Sequence, residues 1–150
     1  MWPRVSRGAL KSEAATTAGM LAIAGGKGGS GKTTTTLGLA RAVNVPALAV
    51  DADCDLPNLH ALAGVPRDPP GDDPGHPDPV AGSEAYVVPA PADAADGLGD
   101  RLRRLRADDP RPALIDCPAG AGPDATVPLR IAARVLLGAT TRVAGLRGTA

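Results

Sequence analysis

An α/β fold, with a mostly parallel sheet flanked by helices, is predicted from three observations along these 150 residues. Short apolar runs suited to buried strands alternate with stretches at helical spacing. Two of the runs, Ala47–Asp51 and Ala113–Asp116, end in an acid. A glycine-rich segment, Gly25 to Thr36 (GGKGGSGKTTTT), follows the first run and leads into a helix-compatible stretch. Strands alternating with helices imply βαβ units. In such sheets ligands gather at the carboxyl ends of the strands.

Taken in order, residues 1–19 read as a flexible N-terminal extension, and residues 20–150 as one nucleotide-binding domain. Met20–Ala24 forms the first strand, and Thr33–Val43 a helix with Leu37, Ala40 and Val43 on one side. Ala47–Asp51 is the second strand, and Leu56–Leu62 a short helix. Residues 65–84 hold six prolines and read as an irregular surface loop. Ala85–Pro89 is a third strand closed by its proline. Leu98–Ala107 is an amphipathic helix, with Leu98, Leu102 and Leu105 inward and Arg101, Arg103, Arg104 and Arg106 mostly outward. Ala113–Asp116 is the fourth strand. Asp124 caps a helix that runs to about Ala133, and Arg134–Ala139 is a fifth strand.

Composition removes several classes. Sixteen basic and sixteen acidic residues balance, so no global field favours contact with DNA or a membrane. Trp2 and Tyr86 are the only aromatics, which excludes a stacking platform for single-stranded nucleic acid. The core is left to Ala, Val, Leu and Ile. Two cysteines, Cys54 and Cys117, make no disulfide framework. Neither a secretory signal nor an 18-residue apolar run is present, and the expected location is cytoplasmic.

The chemistry concentrates in three segments. Gly26, Lys27, Gly28, Gly29, Ser30, Gly31, Lys32 and Thr33 satisfy the phosphate-loop pattern G-x-x-x-x-G-K-[ST]. Glycines let the backbone N–H groups turn inward as a nest for phosphate oxygens. The helix beginning there adds its positive end. Lys32 can reach the β- and γ-phosphates, and the Thr33 hydroxyl can ligate Mg²⁺. The second segment is Asp51-Ala52-Asp53-Cys54-Asp55, and the third Asp116-Cys117-Pro118-Ala119-Gly120. Mg²⁺ takes hard oxygen ligands and keeps several waters, so Asp116 can hold it through water beside the phosphates. Hydrolysis needs a group that orients a water toward the γ-phosphate, and Asp53 is the candidate. Asp51 and Asp55 read as structural.

Together these segments resemble the MinD/ParA family of dimerising ATPases. Lys27 supplies the extra lysine of its deviant phosphate loop K-G-G-x-G-K-[ST]. Asp51-Ala52-Asp53 followed by Asn58 resembles switch I, and Asp116-Cys117-Pro118-Ala119-Gly120 resembles the D-x-P-A-G of switch II. The similarity runs from residue 20 to about 140. It implies a P-loop NTPase-like domain that binds ATP and Mg²⁺ and sandwiches two nucleotides in a dimer. Lys27 then reaches the partner's phosphates and Lys32 those of its own subunit. Thr34 contacts the α-phosphate, Thr33 and Asp116 hold Mg²⁺, and Asp53 orients water. Catalytic duties thus fall on Lys27, Lys32 and Asp53. The setting is cell division or the partitioning of chromosomes or plasmids. The partner is a second copy or a longer paralogue, with an activator protein as a further partner.

Family members are longer, and the segments completing their sheet and adenine pocket fall beyond Ala150. The expectation is therefore a C-terminally truncated domain with weakened turnover. A non-catalytic nucleotide-binding module that captures longer paralogues is one alternative. A metallocentre-insertion ATPase using Cys54 and Cys117 is another.

Overall fold

The computed structural model describes residues 19–68, 76–90 and 97–140. The expected extension therefore lies outside the described residues except for Gly19, whose carbonyl already accepts the Ala113 N–H at 3.4 Å. Among the described residues six strands form one sheet: β1 (Met20–Gly25), β2 (Ala47–Asp51), β3 (Asp78–Pro79), β4 (Ala85–Val88), β5 (Ala113–Asp116) and β6 (Arg134–Gly138). Four helices connect them: α1 (Lys32–Ala42), α2 (Leu59–Ala63), α3 (Leu98–Asp108) and α4 (Pro123–Ile131). The strand order is β3-β4-β2-β5-β1-β6. Every pairing is parallel except that of β3 with β4.

Side-chain alternation divides the core into two layers. Along β2, Leu48 and Val50 join Met20, Ile115, Leu98 and Leu102 beneath α3 and α4. Ala47 and Ala49 join Ile23, Leu114, Leu37 and Ala40 beneath α1. All five residues of β2 are buried, as a strand covered on both faces must be. Small side chains on the α1 face let that helix lie close over the strand ends.

Helix boundaries follow local chemistry. α1 starts one residue before the expected Thr33, after Gly31 in the left-handed conformation. α2 begins at Leu59, behind Asn58, so the expected helix from Leu56 loses its first turn to the preceding loop. In α3, Asp100 in the first turn and Arg106 in the last complement the helix dipole. α4 opens on Pro123, which needs no N–H partner at a helix start. Gly122 therefore takes the cap position expected of Asp124, which sits in the first turn instead.

The proline-rich stretch is less irregular than its composition predicts. Asp78 and Pro79 pair antiparallel with Val87 and Tyr86. The Val80 N–H donates to the Ala85 carbonyl at 2.9 Å, and the Val80 side chain is buried in the α1 layer. Proline is tolerated there because β3 is an edge strand. Residues 69–75 of this stretch lie outside the described residues. At the opposite edge, β6 leaves Val135, Leu136 and Leu137 exposed. Among the described residues no helix is long and apolar enough to cross a membrane.

Leu102 is fully buried where α3 meets the sheet. Replacing it with Ala should cost about 2–5 kcal/mol through lost burial and the cavity left behind. Urea unfolding of the variant beside the parent chain measures this.

Candidate functional site

Parallel pairing sets the site. Asp116 of β5 stands in register with Ile23 of β1 on one side and Asp51 of β2 on the other. The loop after β1, the loop after β2 and the segment after β5 thus leave the sheet along one edge, side by side. The Ala52 N–H donates to the Asp116 carbonyl at 3.0 Å, and the Cys117 N–H to the Ile23 carbonyl at 3.1 Å. These bonds extend the ladder one step into the loops.

The first loop is built tightly. Gly29 and Gly31 have φ of 78° and 79°, values open to glycine at little cost. Gly25 is required for a different reason. A Cβ there would meet Ser30 Oγ at 2.5 Å and the Gly138 carbonyl oxygen at 2.8 Å. The first turn of α1 is braced by Thr36, whose buried hydroxyl donates to the Lys32 carbonyl at 2.9 Å. The turn contains no acid, and no side chain caps it. Its first N–H groups therefore point out of the helix end without an internal acceptor. Lys32 arches back across the loop, and its ammonium donates to the Lys27 carbonyl at 3.4 Å. Lys27 itself is exposed, as is Thr34, while Thr33 is half-buried.

The acids differ sharply in environment. Asp116 is buried, and burial pushes its carboxyl up to about 6, although the Thr33 side chain and the Lys32 charge pull it down. Its Oδ1 is enclosed and has no hydrogen-bond partner among the described residues. Asp51 is fully buried, and burial pushes it up to about 7 against two backbone hydrogen bonds. Asp53 is half-exposed, and its Oδ1 accepts the Leu56 N–H at 3.1 Å.

An orphaned carboxylate oxygen and a neighbouring hydroxyl are hard oxygen donors, which is the set Mg²⁺ prefers. These residues therefore fit a Mg²⁺ ion beside a phosphate group. The cysteines fit a metal less well. Cys117 packs in the α3 layer, burial pushes its thiol up to about 12, and its Sγ sits 3.7 Å from the Ile115 carbonyl oxygen. Among the described residues no group of three or more His, Cys, Asp or Glu side chains could hold a metal.

Lys27, Lys32, Thr33, Asp53 and Asp116 all lie on the three segments that leave this sheet edge. One detail fills in the structural role expected of Asp51, and a second departs from the sequence reading. Asp51 receives hydrogen bonds from both ends of the loop after β2, at 3.0 Å from the Asp53 N–H and 3.1 Å from the Leu59 N–H. Arg101, expected outward, turns inward and donates to the Pro89 carbonyl at the end of β4. Burial lowers its pKa, while Cys54 and Asp51 raise it. A signal for Arg101 was present, since Leu98, Arg101, Leu102 and Leu105 lie at i, i+3, i+4 and i+7 on one face. The place of Asp51 at the end of an apolar run marked it as structural, but nothing in the sequence marked its two backbone partners.

Residues 21–143 match the family model of the CobQ/CobB/MinD/ParA nucleotide-binding domain. The fold is similar to that of the cell division ATPase MinD from Pyrococcus furiosus, with a TM-score of 0.76 and 28% identity over 89% of this chain and 64% of that one. It is also similar to the septum site-determining protein MinD from Pyrococcus horikoshii, complexed with Mg-ADP. There the TM-score is 0.72 and identity 25%, over 87% of this chain and 61% of that one. The chain thus spans less than two thirds of either MinD structure. The VpsO kinase domain shares the fold at a TM-score of 0.72 and 19% identity, over 96% of this chain and 90% of that one. No curated protein is significantly similar in sequence.

Two measurements follow from this geometry. Gly25→Ala should force the loop off Ser30 and the end of β6, at about 1–3 kcal/mol of stability, and calorimetry reads the loss. Burial raises the folded pKa values of Asp51 and Asp116 above the ordinary carboxylate range. The folded chain therefore binds more protons than the unfolded one between about pH 4 and 7. Their contribution should make stability fall as pH rises through that window and level off above it. Asp51→Asn should flatten the slope in thermal unfolding recorded from pH 4 to 8.

Proposed function

The chain belongs to the CobQ/CobB/MinD/ParA family of nucleotide-binding domains, and from that premise we propose that it is a Mg²⁺-dependent ATPase switch of the MinD/ParA type, acting through nucleotide-dependent dimerisation. One observation carries the reading. The phosphate-loop segment, Asp53 and Asp116 leave three neighbouring parallel strands at the same edge. The loop's inward N–H groups and the start of α1 receive the phosphates. Lys32 leaves the Lys27 carbonyl to bind the β- and γ-phosphates. Thr34 contacts the α-phosphate. Thr33 and Asp116 hold Mg²⁺, which when bound supplies positive charge beside the phosphates. Asp53 gives up the Leu56 N–H and accepts a hydrogen bond from the attacking water, aligning it with the γ-phosphate.

Lys27 is exposed on the outer side of the loop, free to cross to a second subunit and neutralise charge that develops there. The γ-phosphate then acts as a switch that holds two loops and a dimer until it is cleaved. The partner is a second copy of the chain or a longer paralogue, with an activator protein as regulator. The MinD relatives, one a cell division ATPase and one a septum site-determining protein, favour division or partitioning as the setting.

Lys32→Ala should weaken ATP binding about 100-fold, the scale of losing one preorganised charge contact. Lys27→Ala should leave ATP affinity near that of the parent chain and lower turnover about 1000-fold, the scale of removing a trans-acting cation. Calorimetric titration with ATP, steady-state phosphate release and gel filtration with and without Mg²⁺-ATP check these outcomes. ATP binding with no turnover and no change in elution volume would mark a non-catalytic nucleotide-binding module.

A further inference from the structure

We propose that Asp51 is a positioning residue, whose buried carboxylate clamps both ends of the loop after β2 and thereby fixes Asp53. The proposal rests on the ATPase reading only for what Asp53 does. Asp51 is the last residue of β2 and has no exposed surface. Its Oδ1 accepts the Asp53 N–H at 3.0 Å, and its Oδ2 the Leu59 N–H at 3.1 Å. One carboxylate thus closes a ring of backbone across residues 52–58. Inside it, the Asp53 carboxylate accepts the Leu56 N–H at 3.1 Å, and the Asn58 amide donates to the Leu56 carbonyl at 3.0 Å. Both are short-range bonds that travel with the loop.

The clamp also does the work of a helix cap. Asn58 stands at the cap position of α2 but makes no side-chain capping bond. The acceptor for the first helical N–H comes instead from Asp51, eight residues back. A separate backbone bond, from the Ala52 N–H to the Asp116 carbonyl, holds the start of the same loop beside β5. Both oxygens are used as acceptors, so the residue type is restricted. Asparagine is isosteric but offers one acceptor oxygen, and its amide would face one of the two N–H donors. A residue that merely filled the core would not need two acceptors aimed at two backbone groups.

Amide hydrogen exchange on the full chain, combined with ATP titration and single-turnover hydrolysis, tests this. In the parent chain the Asp53 and Leu59 amides should exchange about 100-fold more slowly than unprotected amides. Asp51→Asn should speed their exchange, and that of Leu56, about tenfold or more while the β2–β5 ladder keeps its protection. ATP affinity should stay within about threefold of the parent, and turnover should fall about 10- to 100-fold. Val50→Ala, a buried neighbour outside the site, controls for lost stability and should leave both the loop amides and turnover unchanged. Parent amides at Asp53 and Leu59 that exchange freely overturn the clamp, whether or not the variant folds. So does loosening in Asp51→Asn with turnover unchanged. A parent chain that binds ATP without hydrolysing it overturns the ATPase reading instead, and the exchange pattern still decides whether Asp51 holds the loop.

Discussion

Everything at the candidate site depends on β5 lying between β1 and β2 in parallel register. That one arrangement aligns Ile23, Asp116 and Asp51 across three strands. A shift of one residue in either pairing would turn Asp116 to the opposite face and swap its apolar neighbours between the two core layers. The register is held because both faces of the central strands are buried, so every slip costs core contacts on both sides. The loops inherit this rigidity. The Ala52 and Cys117 N–H groups continue the ladder past the strand ends, and the flexible chemistry begins only beyond them.

Composition makes the close packing workable. With almost no aromatic residues, the layer under α1 is filled by Ala40, Ala47, Ala49 and Ala85 around Ile23, Leu37 and Leu114. The short loop after β1 places the start of α1 beside the carboxyl ends of the strands. Gly25 carries the same logic into the loop, where the space for a Cβ is taken by Ser30 and the end of β6. The opposite layer, under α3 and α4, packs Leu48, Leu98, Leu102, Ile115 and Ile131, and from α3 the Arg101 guanidinium reaches the Pro89 carbonyl past the end of β4.

Electrostatically, the site is an unfinished circuit. Two carboxyls are buried side by side with their proton affinities raised, and among the described residues one Asp116 oxygen has no hydrogen-bond partner. Lys32 spends its charge on a long bond to a carbonyl. Burial of this kind costs stability unless a counter-charge arrives. A phosphate for the lysine and a hard cation for the carboxylate would satisfy both at once. That pairing of unmet demands is the physical content of the nucleotide reading.

The candidate site residues were legible in the chain because each sits in a pattern tied to local geometry: glycines at fixed spacing before Lys32 and Thr33, and acids closing apolar runs at Asp51 and Asp116. Strand and helix order was legible for the same reason, since alternation and helical spacing are properties of neighbours. Asp78–Pro79 escaped because two residues are too few for a period and proline argues against a strand until an edge is known. The turn of Arg101 toward Pro89 and the double role of Asp51 escaped because their partners are main-chain groups, which carry no side-chain signature in the sequence. Sequence by itself determined the fold class, the phosphate-loop pattern and which acids stand at strand ends. Only the tertiary structure decided which strands are neighbours, and therefore that Asp116 lies beside Asp51 and that one buried carboxylate holds the loop carrying Asp53. Strand order is set by packing across both faces of the sheet, and that packing has no period along the chain.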